Sequence, residues 1–407
     1  MKRLIVNGGR PLVGEVTVSG SKNAALPILF STLAVRGVSK IKNVPDIGDV
    51  RITLKILSSM GARITRRGNS LTVDTTSASY STPLASDTSM IRASTYLIGA
   101  CLGGFGLCDI VSFGGCNFAR RPIDMHLYAA ERFGAQIEER VVRCARLRGG
   151  EVRFDKRSVG ATVNALIMAS AADGRSRIFN YAEEPHIHDL IRFLVSCGAM
   201  IDIRPEYILV EGAELHGGEV TVGGDMIEAG SYAAFALATG GDVLIRGVPD
   251  SELSSVESVV ISSGGGVRHE SDGVRFFGRV KGPFELLAAP YPGFPTDLQP
   301  IYSTLMAVGM GGAYVDTVFP ERCSHLSLLS SFGVNFYKVL DRIIIPKAHQ
   351  TNPITVEAPD LRGGAACMLA ALYVRGESVI YGFDRVLRGY ERPCEKLSAL
   401  GADVRLA

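Results

Sequence analysis

The sequence is 407 residues long, and 46% of its residues are apolar while 21% are charged. A chain of this length exceeds one ordinary hydrophobic core, so we expect a globular protein of about two domains. Its 43 Lys and Arg residues nearly balance its 41 Asp and Glu residues, which leaves a formal net charge of +2. This balance provides no polybasic surface for nucleic acid or anionic lipid, and it favours small molecules as partners.

No segment of the sequence is typical of a membrane or secreted protein. The longest largely apolar stretch, Ala24 to Val35, contains Pro27 and Ser31, and it is shorter than the roughly 20 residues that span a bilayer. Only three apolar residues separate Arg3 from Asn7, which is not a secretion signal. We therefore expect a cytoplasmic protein whose eight cysteines are reduced. No Cys-x-x-Cys pair occurs, and we expect neither a metal nor a cofactor.

One short pattern occurs six times along the chain: an apolar helix end, a glycine, a small residue, a variable residue and the start of a strand. Its spacing gives repeats of about 68 residues that nearly exhaust the chain. Because only glycine reaches positive φ without steric cost, each of these glycines is predicted to end a helix in the left-handed conformation. The six glycines are Gly61, Gly134, Gly198, Gly265, Gly333 and Gly401.

Each repeat is predicted to contain two helices and several strands. Strands follow the glycine pattern, as in LTVDT after Asn69 and YILVE after Glu206. A second helix, ending in glycine before another strand, is predicted at Gly37, Gly174 and Gly376. The chain therefore alternates helices and strands throughout, which is typical of an α/β fold.

Two of the predicted helices, Ala161–Ala172 and Gly364–Val374, are apolar on nearly all sides. Such helices are buried, so we expect sheets to surround them. Six repeats over two domains give three repeats in each domain. The last repeat has no obvious closing strand, and the N-terminal segment Lys2–Val6 would supply it.

This closing strand would make the C-terminal domain discontinuous. It would combine residues 1–21 with residues 224–407, whereas the N-terminal domain would be residues 22–223. We expect a cleft between the two domains, because ligands favour such clefts.

Several basic side chains lie beside Gly, Pro or turn sequences. Taken singly, a surface arginine is usually only solvated. Arginine nevertheless suits phosphate and carboxylate groups, because its guanidinium forms bidentate hydrogen bonds. The candidates are Lys22 in SGSKNAALP, Arg92 in MIRAS, Arg121 in RRPIDMH, Arg322 in FPERCSH, Arg362 in PDLRGG and Arg388 in LRGYERP.

The segment Gly114–Phe118 contains Cys116 after a pair of glycines. A cysteine among glycines is most often a small filler. Here the glycines would make the loop mobile, and the neighbouring Arg120 and Arg121 would favour the reactive thiolate. Cys116 is therefore a candidate for a chemical role.

Taken together, these segments resemble the UDP-N-acetylglucosamine enolpyruvyl transferases, a family of EPSP synthase-like enolpyruvyl transferases. Several independent motifs are jointly far more specific than any one of them, and the resemblance covers the whole chain. It implies an α/β fold of two inside-out α/β barrel domains, each of three βαβαββ-type repeats, with an interdomain cleft. The matching segments, in the family's order, are SGSKNAALP, MIRAS, GGC followed by RPIDMH, KRSVGAT, FPTDLQ, PDLR and RGYER.

The resemblance also implies an activity. The family transfers the enolpyruvyl group of phosphoenolpyruvate to the 3-hydroxyl of UDP-N-acetylglucosamine and releases phosphate, which is the first committed step towards peptidoglycan precursors. By resemblance, Cys116 would protonate the methylene carbon of phosphoenolpyruvate, and Asp297 would accept the proton of the sugar hydroxyl. From the residues alone, Asp297 is better explained as the start of a turn after Pro295.

The remaining site residues also follow from the resemblance. Lys22, Arg121 and Arg388 would hold the phosphate, and Lys22 and Arg388 count with Cys116 and Asp297 as catalytic. Arg322 would lie near the carboxylate and stabilise charge in the transition state. Further substrate-binding residues are Arg362 and, for the nucleotide sugar, Asn23, Arg92, the segment Arg121, Pro122, Ile123, Asp124 and Met125, the segment Lys156, Arg157, Ser158 and Val159, and Val318.

Three positions depart from the family's usual pattern. Ala119 stands where Gly is common, Met226 where Arg is usual, and Leu387 where an Asp precedes Arg388. These departures affect fine geometry, and Ala119 would stiffen the cysteine loop. None of them removes a charged group assigned above.

Two alternatives stay open: an enolpyruvyl transferase for another acceptor, and a silent paralogue that binds a UDP-sugar. The shikimate enzyme lacks the cysteine loop, so GGC with RPIDMH argues against it, whereas a relative specific for another nucleotide would keep the same donor site. A silent paralogue would be expected to lose one of Lys22, Cys116, Asp297 or Arg388, and all four are present. The sequence leaves the oligomeric state open.

Overall fold

The computed structural model describes residues 2–114, 121–331, 333–349 and 351–407. The chain folds as two compact units. The continuous unit is Gly20–Gly223, and the discontinuous unit combines Met1–Ser19 with Gly224–Ala407. Cys116 and Ala119 lie outside the described residues.

Helices and strands alternate along both units, as the repeats predict. The helices are α1 (Lys22–Val35), α2 (Gly48–Ser59), α3 (Ala85–Thr88), α4 (Leu97–Phe105), α5 (Asp124–Arg132), α6 (Val159–Ser170), α7 (Pro185–Ser196), α8 (Met226–Thr239), α9 (Ser254–Ser262), α10 (Gln299–Val308), α11 (Leu326–Ser331), α12 (Leu361–Tyr373) and α13 (Pro393–Ala399). Short 3₁₀ helices lie at Arg92–Tyr96, Asp250–Leu253 and Phe383–Arg385.

The strands are β1 (Leu4–Gly8), β2 (Val13–Thr17), β3 (Val38–Lys42), β4 (Arg63–Arg67), β5 (Ser70–Asp74), β6 (Leu107–Asp109), β7 (Gln136–Glu138), β8 (Val141–Arg143), β9 (Glu151–Arg153), β10 (Arg175–Phe179), β11 (Met200–Ile203), β12 (Tyr207–Glu211), β13 (Glu219–Thr221), β14 (Asp242–Arg246), β15 (Gly266–Glu270), β16 (Gly273–Phe277), β17 (Phe284–Ala288), β18 (Gly312–Asp316), β19 (Tyr337–Val339), β20 (Arg342–Ile345), β21 (Thr355–Glu357), β22 (Gly376–Tyr381) and β23 (Asp403–Leu406).

Three sheets formed by described residues belong to each unit. The continuous unit has the strand orders β13-β3-β5-β4, β6-β8-β7 and β11-β12-β10-β9, and the discontinuous unit has β15-β16-β14-β2, β17-β18-β20-β19 and β21-β22-β1-β23. Each four-stranded sheet joins one parallel pair to antiparallel neighbours, as in β9 beside β10 and β12 beside β11. The run β9-α6-β10-α7-β11-β12 is one complete repeat, which confirms the predicted βαβαββ order.

Helices occupy the interior and sheets lie outside them. In the discontinuous unit every residue of α8 and α10 is buried, and in the continuous unit α1 and α6 are buried along most of their length. Strands such as β3 and β10 alternate exposed and buried residues, so each sheet turns one face to the helices. Close helix contact needs glycine, because a Cβ on Gly104 of α4 would lie 2.2 Å from the Leu33 oxygen of α1.

The two apolar helices predicted from the sequence are α6 and α12, and both begin a few residues earlier than expected. Side-chain caps explain the earlier starts. The Ser158 hydroxyl accepts a hydrogen bond from the Ala161 N–H at 3.4 Å, and the Asp360 carboxylate accepts from the Arg362 and Gly363 N–H groups at 2.9 and 3.0 Å. Each cap satisfies an N–H that has no partner inside the helix.

The repeated glycine adopts the predicted left-handed conformation in five of the six repeats, for example at Gly61 and Gly401. The fourth repeat differs by one residue, because Gly264 has φ 84° where Gly265 was the predicted position. At the end of α1 the left-handed residue is Arg36 rather than Gly37. Gly37 is needed for close approach instead, since its Cβ would lie 2.4 Å from the Gly217 nitrogen.

The N-terminal strand closes the last repeat, as predicted. β1 lies between β22 and β23 and pairs antiparallel with both, so that Leu4 faces Ile380 on one side and Leu406 on the other. The Arg3 and Ala407 backbones exchange two further hydrogen bonds of 2.9 Å each. Among the described residues, none of the helices combines the length and apolar character needed to cross a membrane.

Candidate active site

Lys22 is the first residue of α1, directly after its cap Ser21. Its Nζ lies 2.8 Å from Asp49 Oδ2, and the two side chains are only 13% and 4% exposed. The buried carboxylate therefore holds the ammonium at the start of the helix, where backbone N–H groups also attract anions. Asn23 follows Lys22 and is half-buried. Asp49 was not predicted from the sequence.

Arg92 and Arg121 lie close together in the continuous unit. Arg92 Nη2 donates to the Arg121 oxygen at 2.5 Å and lies 3.4 Å from the Pro122 oxygen. Burial, followed by the charge of Arg121, lowers the pKa of Arg92 to about 10. An anion bound beside the two guanidinium groups would offset both effects, because an opposite charge favours the protonated form of Arg92. Arg92 stays protonated at neutral pH.

The segment after Arg121 leads into α5. Pro122 and Asp124 are exposed, whereas Ile123 and Met125 are partly buried against the hydrophobic core. Exposed residues therefore alternate with partly buried residues that anchor the segment. The resemblance assigns this segment to the nucleotide sugar.

A buried pair, His126 and Asn164, supports this region. Asn164 Nδ2 lies 2.6 Å from His126 Nδ1 and 3.0 Å from the Thr95 oxygen, and Asn164 Oδ1 accepts from the Gly99 N–H at 2.8 Å. Asn164 thereby links α6 to α4, to α5 and to the 3₁₀ helix that begins at Arg92. Because the bonding amide nitrogen donates, His126 accepts at Nδ1 and carries its proton on Nε2.

Burial lowers the pKa of His126 to about 4, with the charge of Arg92 as the next cause. The unfolded chain, with a His pKa of about 6.5, therefore binds more protons than the folded chain between these two values. We expect unfolding free energy to fall as the pH drops through this window. By this linkage, His126 alone accounts for about 2 kcal/mol of loss between pH 7 and pH 5.

Urea unfolding of the wild type and of His126→Gln at both pH values measures this contribution. Gln keeps an acceptor for Asn164 but does not titrate, so the variant is expected to lose about 2 kcal/mol less than the wild type on acidification. Equal losses in the two proteins would contradict the assignment of a neutral, buried His126.

The segment Lys156–Val159 runs into the N-terminus of α6. Lys156 is exposed, and Arg157 Nη1 lies 2.6 Å from Glu183 Oε2. Ser158 caps the helix that Val159 begins. The next residue, Gly160, packs on His126, because a Cβ there would lie 2.9 Å from the imidazole. His126 therefore supports both the start of α6 and the Arg92 region. The backbone N–H groups at the start of α6 suit a phosphate.

Asp297 lies in the discontinuous unit, in the turn before α10. The turn predicted after Pro295 is present, since the Leu298 N–H donates to the Pro295 oxygen at 2.9 Å. The carboxylate also bridges two guanidinium groups: Arg322 Nη2 donates to Oδ1 at 3.0 Å and Arg362 Nη2 donates to Oδ2 at 2.9 Å. Asp297 is therefore more than a turn residue, and its remaining lone pairs still permit it to accept a proton.

The two arginines differ from ordinary surface residues because both are buried. Burial lowers the pKa of Arg362, but the charges of Asp297, Tyr390 and Asp225 and the hydrogen bond to Asp297 together more than offset this effect and place the pKa above its usual range. The Arg362 guanidinium also lies over the Tyr390 ring, 5.7 Å from its centroid. Tyr390 in turn shares a 2.7 Å hydrogen bond with Ser231. The half-buried Arg388 lies two residues before this anchored tyrosine.

Arg322 and Val318 lie on one segment that Asp316 organises. The Asp316 carboxylate accepts from the Val318 and Phe319 N–H groups at 2.9 and 2.8 Å, and it accepts from the Thr296 hydroxyl at 2.6 Å. Arg322 Nη1 donates to the backbone carbonyl oxygen of Thr296 at 2.5 Å. Asp316 thus ties the Val318 turn to the turn that carries Asp297.

Glu228 and Lys396 form a buried ion pair that the sequence analysis did not identify. Lys396 Nζ lies 2.6 Å from Glu228 Oε1 and 2.7 Å from the Ser19 hydroxyl, and the Ser19 N–H donates to Glu228 Oε2 at 2.7 Å. Burial raises the pKa of Glu228, whereas Lys396 acts in the opposite direction. The sequence feature that could have indicated this ion pair is the acidic Glu228 on the otherwise largely apolar helix α8. Met226, one of the departures, is buried at the start of this helix.

Each unit therefore gathers part of the predicted set. In the continuous unit, Arg92, the Arg121–Met125 segment and the start of α6 meet at His126, while Lys22 lies with Asp49. In the discontinuous unit, Asp297 directly contacts Arg322 and Arg362. The part of the chain that the structure describes contains no group of three or more His, Cys, Asp or Glu residues able to hold a metal ion.

Known proteins resemble this chain over its whole length. The family model of EPSP synthase (3-phosphoshikimate 1-carboxyvinyltransferase) matches residues 6–397. The chain is 38% identical to a UDP-N-acetylglucosamine 1-carboxyvinyltransferase of Clostridium botulinum, with 99% of both chains covered. It is 37% identical to UDP-N-acetylglucosamine 1-carboxyvinyltransferase 2 of Streptococcus thermophilus, with 100% of this chain and 99% of the relative covered.

Solved structures establish the fold. The enolpyruvyl transferase NikO from Streptomyces tendae matches with a TM-score of 0.87 at 23% identity, covering 100% of this chain and 99% of that one. EPSP synthase from Acinetobacter baumannii matches with a TM-score of 0.75 at 18% identity, covering 100% of both chains. The fold is thus the two-domain α/β fold of enolpyruvyl transferases, and the chain belongs to the EPSP synthase family and, within it, to the UDP-N-acetylglucosamine 1-carboxyvinyltransferases.

Proposed function

We propose that the chain transfers the enolpyruvyl group of phosphoenolpyruvate to the 3-hydroxyl of UDP-N-acetylglucosamine, as the first committed step towards peptidoglycan precursors. The enzyme would act in the cytoplasm, as the sequence analysis expects. Relatives that cover the whole chain are named for this transfer. The observation that carries the proposal is the contact of the Asp297 carboxylate with both Arg322 and Arg362. This contact places a base beside two buried cations that suit an anionic donor.

The proposed reaction begins with a proton transfer from the Cys116 thiol to the methylene carbon of phosphoenolpyruvate. The neighbouring carbon becomes electron-poor, and the sugar hydroxyl attacks it while Asp297 accepts the hydroxyl proton. The product of this addition is a tetrahedral intermediate that still carries the phosphate. The Cys116 thiolate would then take back a proton from the methyl group while the neighbouring carbon loses phosphate, which forms the enol ether of the product. The proton on Asp297 would pass to the released phosphate.

Positive charge would hold the donor during these steps. Lys22, Arg121 and Arg388 would bind its phosphate, and Arg322 would lie near its carboxylate together with Arg362. Buried, preorganised cations stabilise developing negative charge more strongly than solvated cations do. The Lys22–Asp49 and Arg–Asp297 contacts support this assignment, because they hold the cations in place before any ligand arrives.

The nucleotide sugar would bind along the segments that meet at His126. Arg92 and the start of α6 at Ser158 and Val159 would contact its phosphates, with Lys156 and Arg157 beside them. The segment Arg121–Met125 would contact the base, and Asn23 and Val318 would contact the remaining parts of the acceptor and intermediate.

The test is phosphate release from phosphoenolpyruvate, measured with UDP-N-acetylglucosamine, shikimate phosphate or UMP as the acceptor. The wild type is expected to release phosphate with the UDP-sugar alone, and Cys116→Ala is expected to be impaired. Release with another acceptor would favour an enolpyruvyl transferase of different specificity. No release with any acceptor would favour a silent paralogue that only binds the nucleotide sugar.

A further inference from the structure

His325 and Gln299 form a buried polar pair that has no role in the reaction described above. Both side chains are 0% exposed, and His325 Nε2 lies 3.2 Å from Gln299 Nε2. His325 follows Arg322 by three residues, and Gln299 follows Asp297 by two. The pair therefore connects the two segments whose side chains meet in the Asp297–Arg322 ion pair.

The pair is neutral. Burial lowers the pKa of His325 to about 3, the charge of Asp360 opposes this effect, and the charge of Arg322 adds to it. A neutral imidazole offers one donor and one acceptor, and because the Gln299 amide nitrogen donates, His325 accepts at Nε2. A neutral link adds no charge beside Arg322, and it therefore leaves the electrostatics of the Asp297 cluster unchanged.

Two contacts at different points fix the orientation of a segment, whereas one contact leaves it free to pivot. Arg322 provides the first contact, through its bonds to Asp297 and Thr296. His325 provides the second at the other end of the same segment, where Gln299 is the first residue of α10. Between them, the Ser324 hydroxyl donates to Asp360, the cap of the helix that carries Arg362, at 2.6 Å.

We infer that His325 is a positioning residue for the enolpyruvyl transfer: its bond to Gln299 holds the Arg322 segment against the turn that carries Asp297. The inference rests on the proposed function for its kinetic consequence. Without this bond, the Arg322 segment keeps its polar contacts through Arg322, Asp316 and Ser324 but loses the one at the His325 end. The guanidinium and the carboxylate then sample a wider range of relative positions, and fewer encounters have the geometry that proton transfer requires.

The test compares three variants: His325→Phe, the nearly isosteric Gln299→Met, and the double variant. Each single change is expected to lower kcat for phosphate release by about 10- to 100-fold, because misplacement of a catalytic group by about 1 Å costs this much. KM for UDP-N-acetylglucosamine is expected to stay within about threefold, because most of the residues proposed to contact this acceptor lie on other segments and only Val318 lies on the Arg322 segment. The double variant is expected to match the single variants, since all three lose the same bond.

Tyr314→Phe is the matched control. Tyr314 lies against the pair, with its ring centroid 6.3 Å from that of His325, and its buried hydroxyl interacts with the Gln299 side chain. Removing this hydroxyl perturbs the same cluster but spares the His325–Gln299 bond. Its kcat is expected to stay within about threefold of the wild type.

Hydrogen exchange of the backbone in residues 295–299 and 316–325 provides a readout that does not depend on activity. Faster exchange in both segments of both single variants is expected. If the wild type releases no phosphate with any acceptor but this exchange pattern appears, the proposed function fails and the positional link stands. If the wild type is active, then wild-type kcat in Gln299→Met, or additive losses in the double variant, overturns the inference. Should His325→Phe fail to fold, Gln299→Met decides.

Discussion

Asp297→Asn is expected to lower kcat for phosphate release by about 10²- to 10⁴-fold, the range that a general base contributes. The amide cannot accept the proton of the sugar hydroxyl. It also replaces one acceptor oxygen by an NH₂ group, which faces a guanidinium that can only donate. Phosphate release at saturating substrates measures the loss of rate, and calorimetric titration with UDP-N-acetylglucosamine measures whether the acceptor still binds.

The same substitution tests the structural role of the carboxylate. Arg322 and Arg362 are buried, and loss of a buried partner costs about 3–5 kcal/mol of unfolding free energy. Combining Asp297→Asn with Arg362→Met also removes the buried guanidinium of Arg362, which has lost Asp297 as its partner. The double variant is expected to regain part of the lost unfolding free energy without regaining the rate. A rate for Asp297→Asn within about threefold of the wild type would exclude Asp297 as the base.

Lys22→Met is expected to lower kcat/KM for phosphoenolpyruvate by about 10²- to 10³-fold, as when a preorganised group that stabilises charge is removed. Methionine has nearly the same length and fills the same space, but it cannot bind phosphate. The substitution also leaves the Asp49 carboxylate buried beside an apolar side chain. We therefore expect a loss of unfolding free energy together with the loss of activity.

The double variant Lys22→Met with Asp49→Asn separates these two effects. Asn removes the buried charge that has lost its Lys22 partner, so the unfolding free energy is expected to recover, whereas the activity is not. Thermal unfolding and steady-state kinetics on the wild type, both single variants and the double variant provide the comparison. If activity recovered together with stability, Lys22 would be a structural partner of Asp49 and not a ligand of the phosphate.

Local patterns in the sequence were sufficient for the architecture. The glycine pattern predicted the six repeats because each copy ends a helix by the same backbone geometry, and the shift from Gly265 to Gly264 arose only where three glycines adjoin. The apolar character of the segments that form α6 and α12 correctly predicted that these helices are buried. The residue bounds of the domains and the roles of the site residues stay predictions.

The supporting contacts could not be predicted, because each joins residues far apart in the chain. Asn164 and His126 are 38 residues apart, Gln299 and His325 are 26 apart, and Lys396 and Glu228 are 168 apart. No spacing rule links such positions. By contrast, Arg322 and Arg362 were predicted as candidates because arginines beside turns and helix starts have a recognisable local setting, although their shared partner Asp297 was visible only in three dimensions.

The position of β1 between β22 and β23 constrains the order in which the protein can fold during translation. Residues 4–8 emerge from the ribosome before every other strand of the two units, but their partners β22 and β23 begin only at Gly376 and Asp403. All strands of the continuous unit are available once residue 223 has emerged. During most of its synthesis, the nascent chain therefore carries the apolar strand β1 without its neighbours. The continuous unit can fold in this period, whereas the discontinuous unit still lacks its final strands.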